Sequence, residues 1–467
     1  MKMYYNVEDK PKFGQLIVFA IQQLLAIMAA TLVVPVIINS NAGLTGKDAM
    51  STAAALFGAG VGTLVYVLFT KKKSPVFLGS SFAFIGSMTA AFAGAASVAV
   101  GYLGLIFGAV FAGLVYVVIA IIVKFAGVGW VNKLMPAVVI GPTVAIIGLS
   151  LAGNAVGDLQ KGGVLDAEGN SVANVLLCVL VGIITLIVTM LCSTYGKKTA
   201  KLIPFILGIL AGYAVALVFT VIGNAAGIDA LKLINFGNFT ALVAGGVSLE
   251  TFLTVPKFTF LTAFGGFGEI SGSYIGTVAV AYVPVAFVVF AEHIADHKNI
   301  SSIIEKDLLE EPGLHRTLLG DGVGSMVGAF FGGCPNTTYG ESVACVAITR
   351  NASVATIIAA AIAAIIVSFI NPFVAFVNSI PSCVMGGVCM ALYGFIAVSG
   401  LKMVQKVDLN ENKNLFVVSA ILIAGIGGLS LTFGKITLTA IATSLILGII
   451  VNLILSGKKE ENGVTEE

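Results

Sequence analysis

The sequence predicts an all-α polytopic membrane protein, with fourteen transmembrane segments in two inverted seven-span repeats, and three observations predict it. Of 467 residues, 58% are hydrophobic and only 10% are charged. A soluble domain carries about 25% charged residues, so most of this surface does not face water. Apolar runs of about 20 residues recur from end to end, each long enough to cross a hydrocarbon core of about 30 Å. A large soluble protein hides one or two such runs, not a dozen. Finally, two short patterns recur about half a chain apart in the same order.

Read against Gly, Pro and polar breakers, the first half holds spans at 13–38, 49–70, 75–93, 97–123, 134–153, 173–193 and 200–222. The second half holds 279–303, 315–333, 337–350, 353–374, 380–400, 414–432 and 436–456. The third (PVFLGSSFAFIGSMTA) and the tenth (NTTYGESVACVAITR) are short, polar at their start and interrupted. The 55 glycines suit close helix packing and broken helices in lipid.

Basic residues test this count, because loops kept in the cytoplasm carry excess Lys and Arg. With the N-terminus inside, loops after even-numbered spans should be basic. They are: Lys71 to Lys73, Lys124 and Lys133, then Lys197, Lys198 and Lys201. The series continues with Lys298, Lys306 and Arg316, Arg350, then Lys402, Lys406 and Lys413, and ends at Lys458 and Lys459. The opposite loops carry scattered Lys47, Lys161, Lys232, Lys257 and Lys435. Both termini are therefore expected in the cytoplasm. Met1 to Lys12 is polar, has no small-residue cleavage site, and reads as a tail rather than a signal peptide.

The repeat rests on Pro136-Ala137-Val138-Val139-Ile140-Gly141 against Pro381-Ser382-Cys383-Val384-Met385-Gly386, each opening an apolar span. Likewise Ser80-Ser81-Phe82 matches Thr337-Thr338-Tyr339, each opening an interrupted span. Seven spans per unit is odd, so the second copy must sit upside down. Inverted repeats with broken helices at matching positions point to a secondary transporter with its site near the midplane. Free backbone N–H groups inside a membrane are tolerable only beside a cavity or ligand. The plainer alternative is that Ser and Thr merely cap helix starts.

Charged side chains inside lipid are costly and usually functional. Glu292 sits mid-span in AYVPVAFVVFAEHIADHKNI, and Glu341 closes PNTTYGE in the other interrupted span. No Lys or Arg lies within a turn of either, so both are candidates to take up and release protons. Asp296 follows Glu292 at i+4 on the same helix face. His293 reads equally as a functional group or as a packing residue hydrogen-bonded to a neighbouring helix. His297 adjoins Lys298 and is expected at the cytoplasmic boundary. E-H-x-x-D-H offers ligand types for a metal, but its spacing fits no zinc signature, and no metal or other cofactor is expected. The six cysteines lack paired spacing and read as small packing residues. His315 and Arg316, in EPGLHR, take a solvated or capping role by default.

Enzyme readings fail, since H-E-x-x-H, G-x-x-x-x-G-K and G-x-S-x-G are all absent. A net charge of +2 argues against a nucleic-acid partner.

The stretch from Phe290 to Arg350, with its AEH, KDLL-x-x-PGLHR and NTTYGE elements, resembles the uracil permease branch of the nucleobase–ascorbate transporter family. So do LGSSFAFI at 78–85 and VMGGVCMALYG at 384–394. The resemblance implies a core domain of spans 1–4 (13–123) and 8–11 (279–374). It implies a gate domain of spans 5–7 (134–222) and 12–14 (380–456), and an extracellular connecting segment at 223–278. Short extended segments, Ser80 to Phe84 and Thr337 to Gly340, would meet within spans 3 and 10.

By the same resemblance, Glu292 and Glu341 would bind uracil, whose N–H groups suit carboxylates. Backbone N–H groups of Phe82 and Gly340 would meet its carbonyls. The Phe82 ring would stack near the base, and the Tyr339 hydroxyl would support the site. His293, Asp296, Ser81 and Thr338 stand as supporting or proton-coupling positions beside Glu292. The implied activity is proton-coupled uracil uptake by alternating access, in a homodimer in the plasma membrane. Three departures stand out. Asp296 replaces a second histidine found in some uracil permeases, Gln22-Gln23 replaces a Gln-His pair, and Glu341-Ser342-Val343-Ala344 replaces Glu-Asn-x-Gly. The terminal Thr349-Arg350 of that signature is kept. Rival readings are a xanthine or other nucleobase permease, an anion transporter of the same fold, and a channel.

Overall fold

The computed structural model describes residues 3–127, 129–166, 170–197, 199–433 and 436–456. Lys198, Lys435, Lys458 and Lys459 of the orientation argument lie outside the described residues. The principal helices are α1 (Phe13–Ala42), α2 (Thr52–Phe69), α3 (Ile85–Ala93), α4 (Val98–Ala126), α5 (Ala137–Ser150), α6 (Val175–Tyr195) and α7 (Pro204–Ala226). They continue with α8 (Gly272–Ile304), α9 (Leu314–Gly332), α10 (Gly340–Thr349), α11 (Val354–Val367), α12 (Ser382–Val404), α13 (Asn412–Ile426) and α14 (Ala440–Ser456). The strands are β1 (Leu78–Ser80), β2 (Asn336–Thr338), β3 (Leu431–Phe433) and β4 (Ile436–Leu438).

Each stretch read as a span contains one of these helices. By length and composition, eight helices among the described residues are long and apolar enough to cross a membrane, and five shorter apolar helices accompany them. Local chemistry sets the starts. Ser51, Ser97, Asn174 and Ser271 each accept a hydrogen bond from a backbone N–H in the first turn of α2, α4, α6 and α8. Gly43 closes α1 in the left-handed region, where a residue without Cβ carries no penalty.

The structure departs from the sequence reading in four places. The span expected at 414–432 stops at Ile426, because Gly427 and Gly428 (φ 73°) end the helix. The β-branched and aromatic residues after them form a β3–β4 hairpin that also takes the first residues expected of the last span. The fifth span breaks at Leu151 into α5 and a short helix, Ala152–Leu159. The eleventh breaks where Pro372 opens a separate helix, Asn371–Ser379. Span 8 begins at Gly272, seven residues earlier than read, because Ser271 supplies the cap.

Helix α9 packs on α2 and α4, and α11 on α2, with α1 against α11 and α8 against α4. Separately, α12 packs on α5 and α6, α7 on α6, and α13 on α14 and α5. The α2–α9 contact is close along its length. A Cβ on Gly58 would lie 2.5 Å from the Gly328 carbonyl oxygen, and one on Gly62 would lie 2.7 Å from that of Gly324. Glycines every fourth residue let two backbones approach where lipid gives no hydrophobic drive to associate. Gly58→Ala should therefore destabilise by about 1–3 kcal/mol through overpacking. Thermal unfolding in detergent checks this; an unchanged midpoint would mean that the two backbones have room to separate.

Candidate functional site

Two interrupted spans meet at the centre of the helical assembly. β1 and β2 pair antiparallel, with Leu78 opposite Thr338, Gly79 opposite Thr337 and Ser80 opposite Asn336. The Ser81 N–H donates to the Pro335 carbonyl at 2.9 Å, and the Tyr339 N–H to that of Phe77 at 3.2 Å. Each strand then gives way to a helix: a single turn at Phe82–Phe84 leads into α3, and Gly340 opens α10. The first N–H groups of a helix have no acceptor within it. The N–H groups of Phe82 and Gly340 thus belong to two helix starts at one strand crossing, a ready site for carbonyl or anionic oxygen.

The Tyr339 hydroxyl donates to the Ser80 carbonyl at 2.7 Å, fastening the second extended segment to the first. Its ring occupies the space that a Cβ on Gly79 would need, 2.4 Å away. Gly340 is exposed, and a Cβ built there would meet only Asp296 Oδ1, at 3.9 Å. The second helix start therefore opens onto free space beside α8.

α8 carries the acidic residues to this crossing. Glu292 and Asp296 are half-buried one turn apart, and Glu341 is half-buried in the first turn of α10. Glu292 lies within electrostatic reach of Asp296, Glu341 and Asp321. The Thr338 hydroxyl donates to Asp296 Oδ2 at 2.7 Å, so Asp296 holds the end of β2. Phe82 is nearly buried, and its ring meets Tyr393 of α12 edge-on with centroids 5.8 Å apart. The Ser81 hydroxyl is buried with no hydrogen-bond partner among the described residues.

His293 points away from this opening. It is fully buried, with Nδ1 2.7 Å from Asp321 Oδ2 and Nε2 3.0 Å from the Thr317 hydroxyl. Thr317 spends its own hydrogen on the Leu314 carbonyl, so His293 Nε2 is the donor to it. His297 is a correction to the sequence reading. Expected beside Lys298 at the edge of the span, it is not exposed to water but wholly buried, stacked on His293 with ring centroids 4.0 Å apart. Its Nδ1 donates to the His293 carbonyl at 2.8 Å, and Nε2 lies 2.7 Å from the Tyr66 hydroxyl, which in turn meets Ser74 at 2.7 Å. α8 turns these histidines to the side facing α2 and α9, where polar partners meet them.

The site residues that sequence reasoning missed are partners rather than new motifs. Asp321 is a lone carboxylate in the Gly-rich span LHRTLLGDGVGSMVGAFFG, and the rule that singled out Glu292 would have found it. Gln23 and Ser342, two of the departures from the family pattern, are hydrogen-bonded to each other. The Ser342 hydroxyl also accepts the Phe77 N–H at 3.0 Å, joining α1, α10 and the approach to β1. Ser342→Ala would strand two buried donors, the Phe77 N–H and the Gln23 amide, a loss of at least about 1–3 kcal/mol. Gln23→Leu in the same background should add little further loss of thermal stability; additive losses would mean that the two act independently.

Among the described residues no group of three His, Cys, Asp or Glu is placed to hold an ion. His293 and His297 have their ring nitrogens committed to protein partners.

Comparison with known proteins adds kinship. The model of the permease family Xan_ur_permease matches residues 14–434. The chain is 36% identical over 462 residues to a uracil permease of Bacillus caldolyticus, covering 98% of this chain and 96% of that one. It is 36% identical over 474 residues to a uracil permease of Bacillus subtilis (strain 168), covering 100% and 98%. Among solved structures, the transmembrane domain of the cyanobacterial bicarbonate transporter BicA superposes with a TM-score of 0.60 at 14% identity, covering 96% of this chain and all of that one. That last likeness speaks for the fold alone.

Proposed function

This chain belongs to the Xan_ur_permease permease family, and from that membership we propose that it takes up uracil by proton symport. It is a transporter, not an enzyme. The observation that carries the substrate reading is the convergence of half-buried Glu292 and Glu341 with the helix starts at Phe82 and Gly340. Uracil presents N–H donors beside carbonyl acceptors. Carboxylates match the first and free backbone amides the second. Tyr339 and Thr338 hold the second extended segment, Ser81 sits at the turn of the first, and the Phe82 ring flanks the base. The same residues speak against an anion as substrate, since carboxylates would repel it.

Proton coupling is the second part of the proposal. Uracil is neutral, so binding it harvests no gradient. Glu292, Asp296, Glu341 and Asp321 form an acidic cluster for which no Lys or Arg partner is found among the described residues. A proton taken up by Glu292 or Asp296 before the site turns inward would tie transport to the gradient, with His293 fixing the back of α8.

Movement would divide the chain as its packing suggests. Residues 13–123 and 279–374 would carry the site as a core, and 134–222 with 380–456 would form the gate, as inverted seven-span repeats. The antiparallel β1–β2 pairing of the two interrupted spans supports that symmetry. Residues 223–278 would lie outside, both termini in the cytoplasm, and the protein would work as a homodimer in the plasma membrane.

The deciding experiment is radiolabelled uracil uptake into proteoliposomes with and without an inward proton gradient. Accumulation that collapses with a protonophore supports substrate and coupling together. Uracil binding without gradient-driven uptake would overturn the coupling ion. Strong competition by xanthine would shift the substrate to purines.

A further inference from the structure

The segment joining the two halves is not a plain water-exposed loop. It contains short helices at Gly237–Val243, Leu249–Phe252 and Thr259–Ala263. From residue 252 onward one side of it is fastened to the helical body by aromatic rings. Phe258 packs on Phe57 with centroids 4.8 Å apart and on Phe331 at 5.5 Å, and Phe260 stacks on Phe330 at 4.8 Å. The Thr254 N–H donates to the Phe369 carbonyl at 2.9 Å, and the Gly266 backbone lies directly against Ala99 and Val100 at the start of α4.

The other side is apolar and uncovered. Phe252, Leu253, Val255, Leu261, Phe264 and Phe267 all point outward, with Val255 70%, Phe264 51% and Phe267 54% exposed. A surface of this kind in water marks a missing partner. Two independent observations identify it. The first is continuity: the Phe267 ring meets Phe107 of α4 edge-on at 6.4 Å. Phe107 begins the stripe that runs down α4 through Phe111, Leu114, Val118 and Ile122, the last three exposed and one helical face apart. On a membrane span, an exposed apolar stripe faces lipid, and the connecting segment extends it.

The second is where the charges go. Lys257 folds back so that its ammonium reaches the Lys47 carbonyl and sits 5.8 Å from the Tyr102 ring centroid. Glu269 turns to accept from the Ser97 hydroxyl. Glu250, just before the segment, borders a recess with Asn238, Ser248 and Asn371. Each charge is thus withdrawn from the apolar side, as in a segment that presents one face to acyl chains.

We propose that residues 252–267 lie in the bilayer interface at the end of the molecule where α2 and α4 begin, with Val255, Leu261, Phe264 and Phe267 inserted among lipid acyl chains. The segment would brace the outer ends of α2, α4 and α9 against the membrane. This reading is independent of what the permease carries.

The chain has one tryptophan, Trp130, which makes a direct test possible. In a Trp130→Phe background, single Val255→Trp, Phe264→Trp and Leu165→Trp variants would be reconstituted in vesicles. Leu165 is also 55% exposed but lies in a separate loop bridged to Ser171. Acyl-chain-brominated lipid should quench Val255→Trp and Phe264→Trp at least about twofold, while aqueous iodide quenches Leu165→Trp instead. Iodide quenching of all three, with no effect of brominated lipid, would overturn the proposal. So would protection of the first two from both quenchers, which would mean that protein, such as a second copy of the chain, covers the face. Circular dichroism of each variant guards against misfolding.

Discussion

Glu292→Gln and Glu341→Gln are each expected to abolish gradient-driven uracil accumulation while leaving the fold intact. Glutamine keeps the shape of glutamate, and both positions are half-buried rather than sealed in the core. What changes is charge. Loss of a charge-assisted hydrogen bond to a ring N–H costs about 1.5–3 kcal/mol, a factor of roughly 10–100 in affinity. Glutamine also holds no exchangeable charge, so any part the carboxylate plays in coupling disappears outright. The two losses separate by experiment. Calorimetric binding of uracil reads the first, and accumulation against a gradient reads the second. A variant that binds weakly but accumulates at high substrate would be a ligand only. One that binds normally without accumulating would be a proton carrier only. Robust proton-coupled uptake by either variant, with parental affinity, would remove that residue from the site.

The positions of these carboxylates were legible in the sequence because the cost of charge in lipid is a local property, carried within AYVPVAFVVFAEHIADHKNI and PNTTYGE themselves. The broken spans were legible for the same kind of reason: Ser80-Ser81 and Thr337-Thr338 put polar residues where an apolar helix should begin. What the sequence hid was long-range. Nothing around His297 announces that Tyr66, more than two hundred residues earlier, meets its ring; beside Lys298 it reads as a residue at the water boundary. Gln23 and Ser342 each looked like an isolated departure, and only packing of α1 against α10 makes them one hydrogen-bonded pair. The β3–β4 hairpin was missed for a different reason. Four-to-six-residue apolar runs carry no period that distinguishes strand from helix, and the glycines before it were absorbed into an expected span.

Asp321→Leu should cost about 3 kcal/mol of stability, between the roughly 1–3 kcal/mol of stranding a neutral polar atom and the roughly 3–5 kcal/mol of stranding a charge. Asp321 and His293 are fully buried against each other at 2.7 Å. Thr317 already fixes a hydrogen on Nε2, so one further proton is shared between Nδ1 and Oδ2. Oδ1 has no partner among the described residues, an arrangement that suits a carboxyl donating to the ring better than a bare carboxylate. Asp321→Asn then keeps a donor, its amide N–H, facing Nδ1. It should retain most of the stability that Asp321→Leu loses. Replacing both members, His293→Leu with Asp321→Leu, removes the stranded atom as well as its partner and should cost clearly less than the two single losses added together. Denaturant titration in detergent micelles reads all four proteins on one scale. Equal losses for Asp321→Asn and Asp321→Leu would mean that the pair is ionised and that charge, not a shared hydrogen bond, holds α8 to α9. Should the Asn variant be stable yet fail to accumulate uracil, the shared proton itself would belong to the transport cycle, and the back of α8 would be part of its proton path rather than only its support.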